Sequence, residues 1–263
     1  MFFFHGLAAP DPYSYGGWID HLVRRGAIVV YPISEDSKFD SADKIRRNAI
    51  IGVRRAAEEL SRAGADLSRV AFVGHSVGGG LSVQLAASAR DLGLPTPRAI
   101  MSVQPGGSKN PTRPEDMARL SPSTLLLVVE GDADQFEESR EGKMIVENAV
   151  NIPGENRVYV LLRSARNAPA DHYTPLSPDP RYRMTAAKRK GGRKLMMKAF
   201  GVRDGEIDSY DERGYWRLLD NLLQAASTGG TVAQAVDAVG ASQLDEAPNG
   251  AKIRPRLKQL RVE

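Results

Sequence analysis

Gly74-His75-Ser76-Val77-Gly78 sets a serine between glycines two positions to either side. The apolar run Arg69-Val70-Ala71-Phe72-Val73 precedes it, and a stretch rich in Ala, Leu and Val follows from Val77 to Arg90. A strand that passes straight into a helix leaves the turning residue strained, and glycines on both sides keep neighbouring side chains from colliding. Ser76 then projects its hydroxyl alone, beside the first N–H groups of the helix, which can stabilise an oxyanion if the serine attacks a carbonyl. So short a pattern also arises by chance, and its weight rests on the partners such a serine would need.

A serine hydroxyl is a poor nucleophile until a base removes its proton, so a histidine must come within reach. The chain has four. His5 and His75 belong to a loop and to the serine turn, and His21 lies in the early helix-like run Asp20-His21-Leu22-Val23, which leaves His172 in Ala170-Asp171-His172-Tyr173. It follows the apolar run Val158 to Leu162, where a parallel sheet presents loops at its carboxyl edge. The acid that orients the base should come from another strand end, between serine and histidine. Leu125 to Val129 supplies that strand and leads into Glu130-Gly131-Asp132-Ala133-Asp134. Asp134 is preferred over Asp132, with Asp171 a lesser alternative because sequence neighbours rarely aim well at one another. Two backbone N–H groups are needed for an oxyanion hole, and Val77, after the serine, and Leu7, after His5-Gly6, are expected to give them. Tyr13, Tyr15, Gln104 and Tyr173 stand beside strand ends and are expected as pocket walls. No metal or organic cofactor is required by such a site.

The elements that must hold these residues are legible as an alternation. Short, nearly continuous apolar runs at Phe2 to Phe4, Ala27 to Tyr31, Val70 to Val73, Ala99 to Val103, Leu125 to Val129 and Val158 to Leu162 read as strands buried on both faces of a parallel sheet. Helices are predicted between them at Tyr15 to Arg25, Asp43 to Ala63, Val77 to Arg90 and Glu137 to Ala149, and later at Asp211 to Ala226 and Val232 to Val239. Strand alternating with helix is an α/β pattern. In the second helix Ile45, Ala49, Gly52, Val53, Ala56, Ala57 and Leu60 recur at helical spacing, which makes a core stripe. Gly78-Gly79-Gly80 lacks the Lys and Ser/Thr of a phosphate-binding loop and reads as close packing.

At 263 residues, 41% hydrophobic and 26% charged, the chain suits one α/β domain, and no apolar run is long enough to span a bilayer. A balance of 36 Lys plus Arg against 32 acids gives +4, too mild to name a partner. The absence of cysteine excludes disulfides, thiolate metal sites and a cysteine nucleophile, and is compatible with either a cytoplasmic or a secreted protein. The segment 177–208 is expected to be a basic insertion, with nine Lys or Arg and no acid from Arg181 to Arg203 before Asp204. It reads first as a solvated loop, with a lid over the site, Leu195 to Phe200 beneath, as the alternative. The polar stretch 240–263 is expected to be a surface tail.

Taken together, Phe4-His5-Gly6-Leu7, the serine turn, Gly131 to Asp134 and Asp171-His172 resemble the α/β-hydrolase superfamily over about residues 1–176. The run from His5-Gly6 to Pro32, with Trp18-Ile19-Asp20-His21-Leu22, is similar to the chlorophyllase and cutinase-like esterases. The resemblance implies a mostly parallel sheet flanked by helices, a Ser76, Asp134, His172 triad, and hydrolysis of a small or lipid-like carboxylic ester through an ester on Ser76. The family usually carries further strands before its His-Gly loop, so upstream sequence, with any targeting segment, is expected to be missing. A peptidase or amidase with the same triad, or a non-catalytic module binding polyanions through the basic segment, are the alternatives.

Overall fold

Short apolar runs pair side by side in chain order to make the central sheet. The computed structural model describes all residues except 38, 107–112, 137–139, 166–167, 185–204, 242–257 and 261–263. Strands β1 (Phe2–Phe4), β2 (Ala71–His75), β3 (Ala99–Val103), β4 (Leu125–Gly131) and β5 (Arg157–Leu162) are mutually parallel. An antiparallel edge strand, β6 (Lys258–Leu260), pairs with β5, so part of the tail expected on the surface extends the sheet.

Alternate residues of each strand feed opposite cores, as a period of two requires. Phe3, Val73, Met101, Leu127 and Val160 pack on one face with helices α1 (Gly16–Arg24), α6 (Trp216–Thr228) and α7 (Val232–Ala241). Phe72, Ile100, Leu126 and Tyr159 pack on the other with α2 (Ala42–Arg62), α3 (Val77–Ala87), the short α4 (Pro114–Met117) and α5 (Arg140–Asn148). Every residue of α3 is buried, which explains why its sequence shows no polar stripe. Among the described residues no helix is long and apolar enough to cross a membrane.

Two elements differ from the expectation. Ala27 to Tyr31 does not form a full strand: only Val30 bridges Phe2 in parallel, with Phe3 N–H donating to Val30 O at 2.8 Å and Val30 N–H to Met1 O at 2.8 Å. The run lies at the sheet edge, Ile28 is 55% exposed, and Pro32, which has no N–H to give a ladder, ends it. The helix expected from Asp211 begins instead as a wider π turn over Tyr210–Tyr215 before α6. Tyr210 and Tyr215 are both buried on one core, and a wider turn brings residues five apart closer to one face than a 3.6-residue period does. The start of the helix expected at Glu137, most of the basic stretch and the Leu195 to Phe200 flap lie outside the described residues.

Candidate active site

Strand β2 runs to His75, α3 begins at Val77, and Ser76 between them has φ 58° and ψ −126°. The glycines make this turn sterically possible. A Cβ on Gly74 would fall on the backbone carbonyl of Gly78, and one on Gly78 would fall on the carbonyls of Phe4 and His5. The turn is anchored by Ser76 N–H donating to Val103 O at 2.9 Å, while Ser76 O accepts from Gly79 N–H at 2.8 Å.

His172 reaches this serine from a loop 96 residues away, with Nε2 2.9 Å from Ser76 Oγ. Its Nδ1 lies 2.8 Å from Asp134 Oδ2. A carboxylate can only accept, so Nδ1 carries the proton and Nε2 is left to accept from the serine hydroxyl. The other carboxylate oxygen of Asp134 accepts from Phe136 N–H at 2.9 Å, which fixes the acid's rotation. Asp132 turns elsewhere: its Oδ1 accepts from Ser164 N–H at 2.8 Å and from Ser164 Oγ–H at 2.5 Å. Asp171 closes its own turn by accepting from Tyr173 N–H at 3.0 Å. The geometry therefore brings Asp134, and not the other two acids, against the imidazole. The His172 ring is enclosed by Phe136 at 4.8 Å, His75 at 4.9 Å and Tyr173 at 5.9 Å between centroids.

Leu7 sits in a loop tied down on both sides. Gly6 N–H donates to Tyr15 Oη at 3.0 Å, and Ala8 N–H donates to Glu35 Oε2 at 2.8 Å. Ala8 takes φ 64°, and Tyr31 Oη–H donates to Ala9 O at 2.6 Å. The loop lies against the serine turn, since a Cβ on Gly6 would come 3.2 Å from Ser76 Cβ. Val77 N–H is the first of α3, a position with no carbonyl one turn earlier in the helix to accept it.

The four residues expected as pocket walls differ in their contacts. Tyr15 is fully buried and bridges Gly6 N–H and His75 Nδ1, the latter at 2.8 Å. Gln104 is also fully buried, with φ 44°, and donates from Nε2 to Asp171 O at 2.7 Å. These two side chains face the loops that carry the site. Tyr13 is partly buried under the guanidinium of Arg183, 3.8 Å from its ring centre, and Tyr173 is buried beside His172. Arg181, which opens the basic stretch, pairs with Asp179 and Asp20 at 2.6 and 3.1 Å.

His5 and His75 shape the site as neutral rings. Burial pushes His5 down to about 4; its Nδ1–H donates to Gly6 O at 2.9 Å and its Nε2 accepts from Ser34 N–H at 3.2 Å. Burial, helped by the nearby His172, holds His75 well below the usual histidine range. Sequence reasoning assigned His75 to the turn, and its contacts, Tyr15 and His172 O, lie 60 and 97 residues away, where no local signal reaches. A cavity of about 730 Å³ lined by Met1, Arg25, Arg69, Arg98 and Asp220 lies at the opposite edge of the sheet from Ser76, at the amino-terminal strand ends.

Residues 25–139, which include Ser76 and Asp134, match a family described as having an alpha/beta hydrolase fold. Among solved structures, a metagenome-derived lipolytic enzyme is similar at 15% identity, covering 66% of this chain and 85% of its own, with TM-score 0.49. Carboxyl esterase 2 from the fungus Tuber melanosporum is similar at 14% identity, covering 76% of each chain, with TM-score 0.49. Esterase 2 of Thermogutta terrifontis, solved phosphonylated by cyclosarin, is similar at 17% identity, covering 76% and 82%, with TM-score 0.44. No curated protein matches the chain. With its parallel sheet, its strand-to-helix serine turn and the matched segment that runs through the turn, the chain has the α/β-hydrolase fold.

Proposed function

We propose that the protein is a serine hydrolase of carboxylic esters. The observation that carries this reading is the unbroken chain Ser76 Oγ, His172 Nε2, His172 Nδ1, Asp134 Oδ2, with contacts of 2.9 and 2.8 Å, set at the tip of a strained turn. Ser76 Oγ attacks the ester carbonyl while His172 Nε2 takes its proton, and the tetrahedral oxyanion is held by the N–H groups of Leu7 and Val77. The C–O bond to the alcohol then breaks, and His172 returns the proton to the leaving oxygen. Water repeats the sequence on the acyl-serine, releasing the acid and restoring Ser76. Asp134 keeps the ring in the required tautomer and stabilises the imidazolium.

Ser76 and His172 are 8% and 7% exposed, so the pair acts in a largely water-excluded setting, where oriented donors count for more than in water. A p-nitrophenyl ester series of rising acyl length, run beside peptide anilides on wild type and Ser76→Ala, tests the reading. Ester turnover that Ser76→Ala abolishes supports it; preference for the anilides, or turnover that survives the substitution, overturns it.

A further inference from the structure

The residue before the nucleophile has a hydrogen-bond arrangement that the proposed chemistry does not by itself demand. His75 ends β2, is buried, and uses both ring nitrogens. Its Nε2 is 2.9 Å from the backbone carbonyl of His172. A carbonyl only accepts, so Nε2 carries the proton, and in the neutral ring Nδ1 must accept. Tyr15 Oη, 2.8 Å from Nδ1, therefore donates its proton there and is left to accept from Gly6 N–H at 3.0 Å. One directional series runs from Gly6 N–H through Tyr15 and His75 to His172 C=O.

The two ends of this series are the places that must stay in register during the reaction. Gly6 precedes Leu7, whose N–H the proposed mechanism assigns to the oxyanion, and the His172 carbonyl belongs to the residue assigned to move the proton. They lie on loops from opposite ends of the sequence, and Ser76 stands between them. A second brace runs parallel to the first: Gln104, at the end of neighbouring β3, donates to the carbonyl of Asp171 at 2.7 Å. Consecutive carbonyls of the histidine loop are thus held from consecutive strands. Gln104 takes φ 44° to do so, a conformation that persists only where the surroundings over-determine it.

We propose that His75 is a positioning residue, an uncharged imidazole bridge that fixes the His172 loop against the Leu7 loop. The inference rests on the reading of Ser76 and His172 given above. An apolar side chain of similar size would fill the space while leaving Tyr15 Oη–H and His172 C=O buried without this partner. Glutamine is different, because its amide donates at one end and accepts at the other, as the ring does.

The test compares wild type, His75→Leu, His75→Gln, Tyr15→Phe and the double variant Tyr15→Phe/His75→Leu. Each is assayed for kcat and KM on p-nitrophenyl butyrate, for the rate of labelling by a fluorophosphonate, and for Tm. His75→Leu is expected to lower kcat and the labelling rate about tenfold to a hundredfold, the size of effect that a small misplacement of reacting groups produces. KM should change by less than about threefold, because the substrate does not touch His75. His75→Gln should recover most of the loss. The double variant should be less impaired than the product of the two single effects, since both substitutions cut one series.

Folded His75→Leu with kcat within about twofold of wild type overturns the inference, as do strictly multiplicative losses or a glutamine variant as impaired as the leucine one. If His75→Leu does not fold, Tyr15→Phe carries the test: a fall in kcat of at least about fivefold supports the bridge, and an unchanged kcat overturns it. Wild type that takes no fluorophosphonate marks failure of the Ser76 reading itself. Equal labelling of wild type and His75→Leu marks failure of the bridge alone.

Discussion

Ser76 Oγ and His172 Nε2 lie 2.9 Å apart although 96 residues separate them, one on a strand-to-helix turn and the other on the loop after β5. Asp134, 2.8 Å from the far side of the ring, completes the line. Asp134→Asn replaces an acceptor with a group that can donate, which favours the tautomer whose Nε2 bears the proton and cannot receive one from Ser76. The expected result is a loss in kcat of about 10⁴-fold with little change in Tm, as comparable substitutions in serine triads produce. Steady-state kinetics beside thermal unfolding checks it, and a loss below about tenfold would show that Asp134 does not hold the base.

Gly74 and Gly78 are predicted to tolerate no side chain, for a steric reason. Gly74→Ala drives a methyl into the Gly78 carbonyl, and neither backbone segment can move without unseating Ser76. Gly93, at φ 61° with nothing within 4 Å of its would-be Cβ, is the contrast. Gly93→Ala should cost only about 1 kcal/mol, from left-handed backbone strain, whereas Gly74→Ala should cost about 4 kcal/mol or more. Denaturant midpoints decide between them, and equal costs would contradict the steric account.

These glycines, the strand before them and the all-buried helix after them were readable from sequence because each is a local pattern. Strands buried on both faces leave continuous apolar runs, and Ala99 to Val103 stands at its expected bounds. Ala27 to Tyr31 is as apolar but forms only one bridge, since pairing at an edge depends on what lies beside it. The sequence favours Asp134 over Asp132 and Asp171, while the contact that separates the three depends on side-chain direction. Tyr15 and Gln104, expected as pocket walls, hydrogen-bond to the loops that carry the site. Their partners, Gly6, His75 and the His172 loop, come together only in the folded chain.

Glu35 makes the Leu7 loop testable apart from the triad. Its carboxylate accepts Ala8 N–H at 2.8 Å, next to the N–H expected to face the oxyanion. Glu35→Ala removes that acceptor and leaves the Ala8 donor without it in a partly buried loop, at a cost of about 1–3 kcal/mol. If that cost falls on the transition state, kcat drops about tenfold to a hundredfold, with KM nearly unchanged. A KM effect alone would place Glu35 in substrate binding instead.

Glu130 gives a pH dependence to stability. It is buried at the end of β4, where it accepts from Tyr159 Oη–H at 2.6 Å and Gly142 N–H at 2.8 Å, and burial raises its pKa above the ordinary carboxylate value. Between the ordinary and the raised value the native state binds more protons than the unfolded chain. The group's contribution is therefore whole below the ordinary value and is lost as pH rises through that window. Glu130→Gln can accept from Gly142 and donate to Tyr159 without titrating. The Tm of Glu130→Gln minus that of wild type should be more positive at about pH 8 than at about pH 4.5, and a difference independent of pH would contradict it.

The most direct test of the account is intact-mass measurement and peptide mapping after reaction of the folded protein with a fluorophosphonate. Nucleophilic Ser76 predicts one adduct per chain on the peptide that contains Gly74 to Gly78, and none in Ser76→Ala. No adduct on folded wild type, or an adduct that persists in Ser76→Ala, would contradict it.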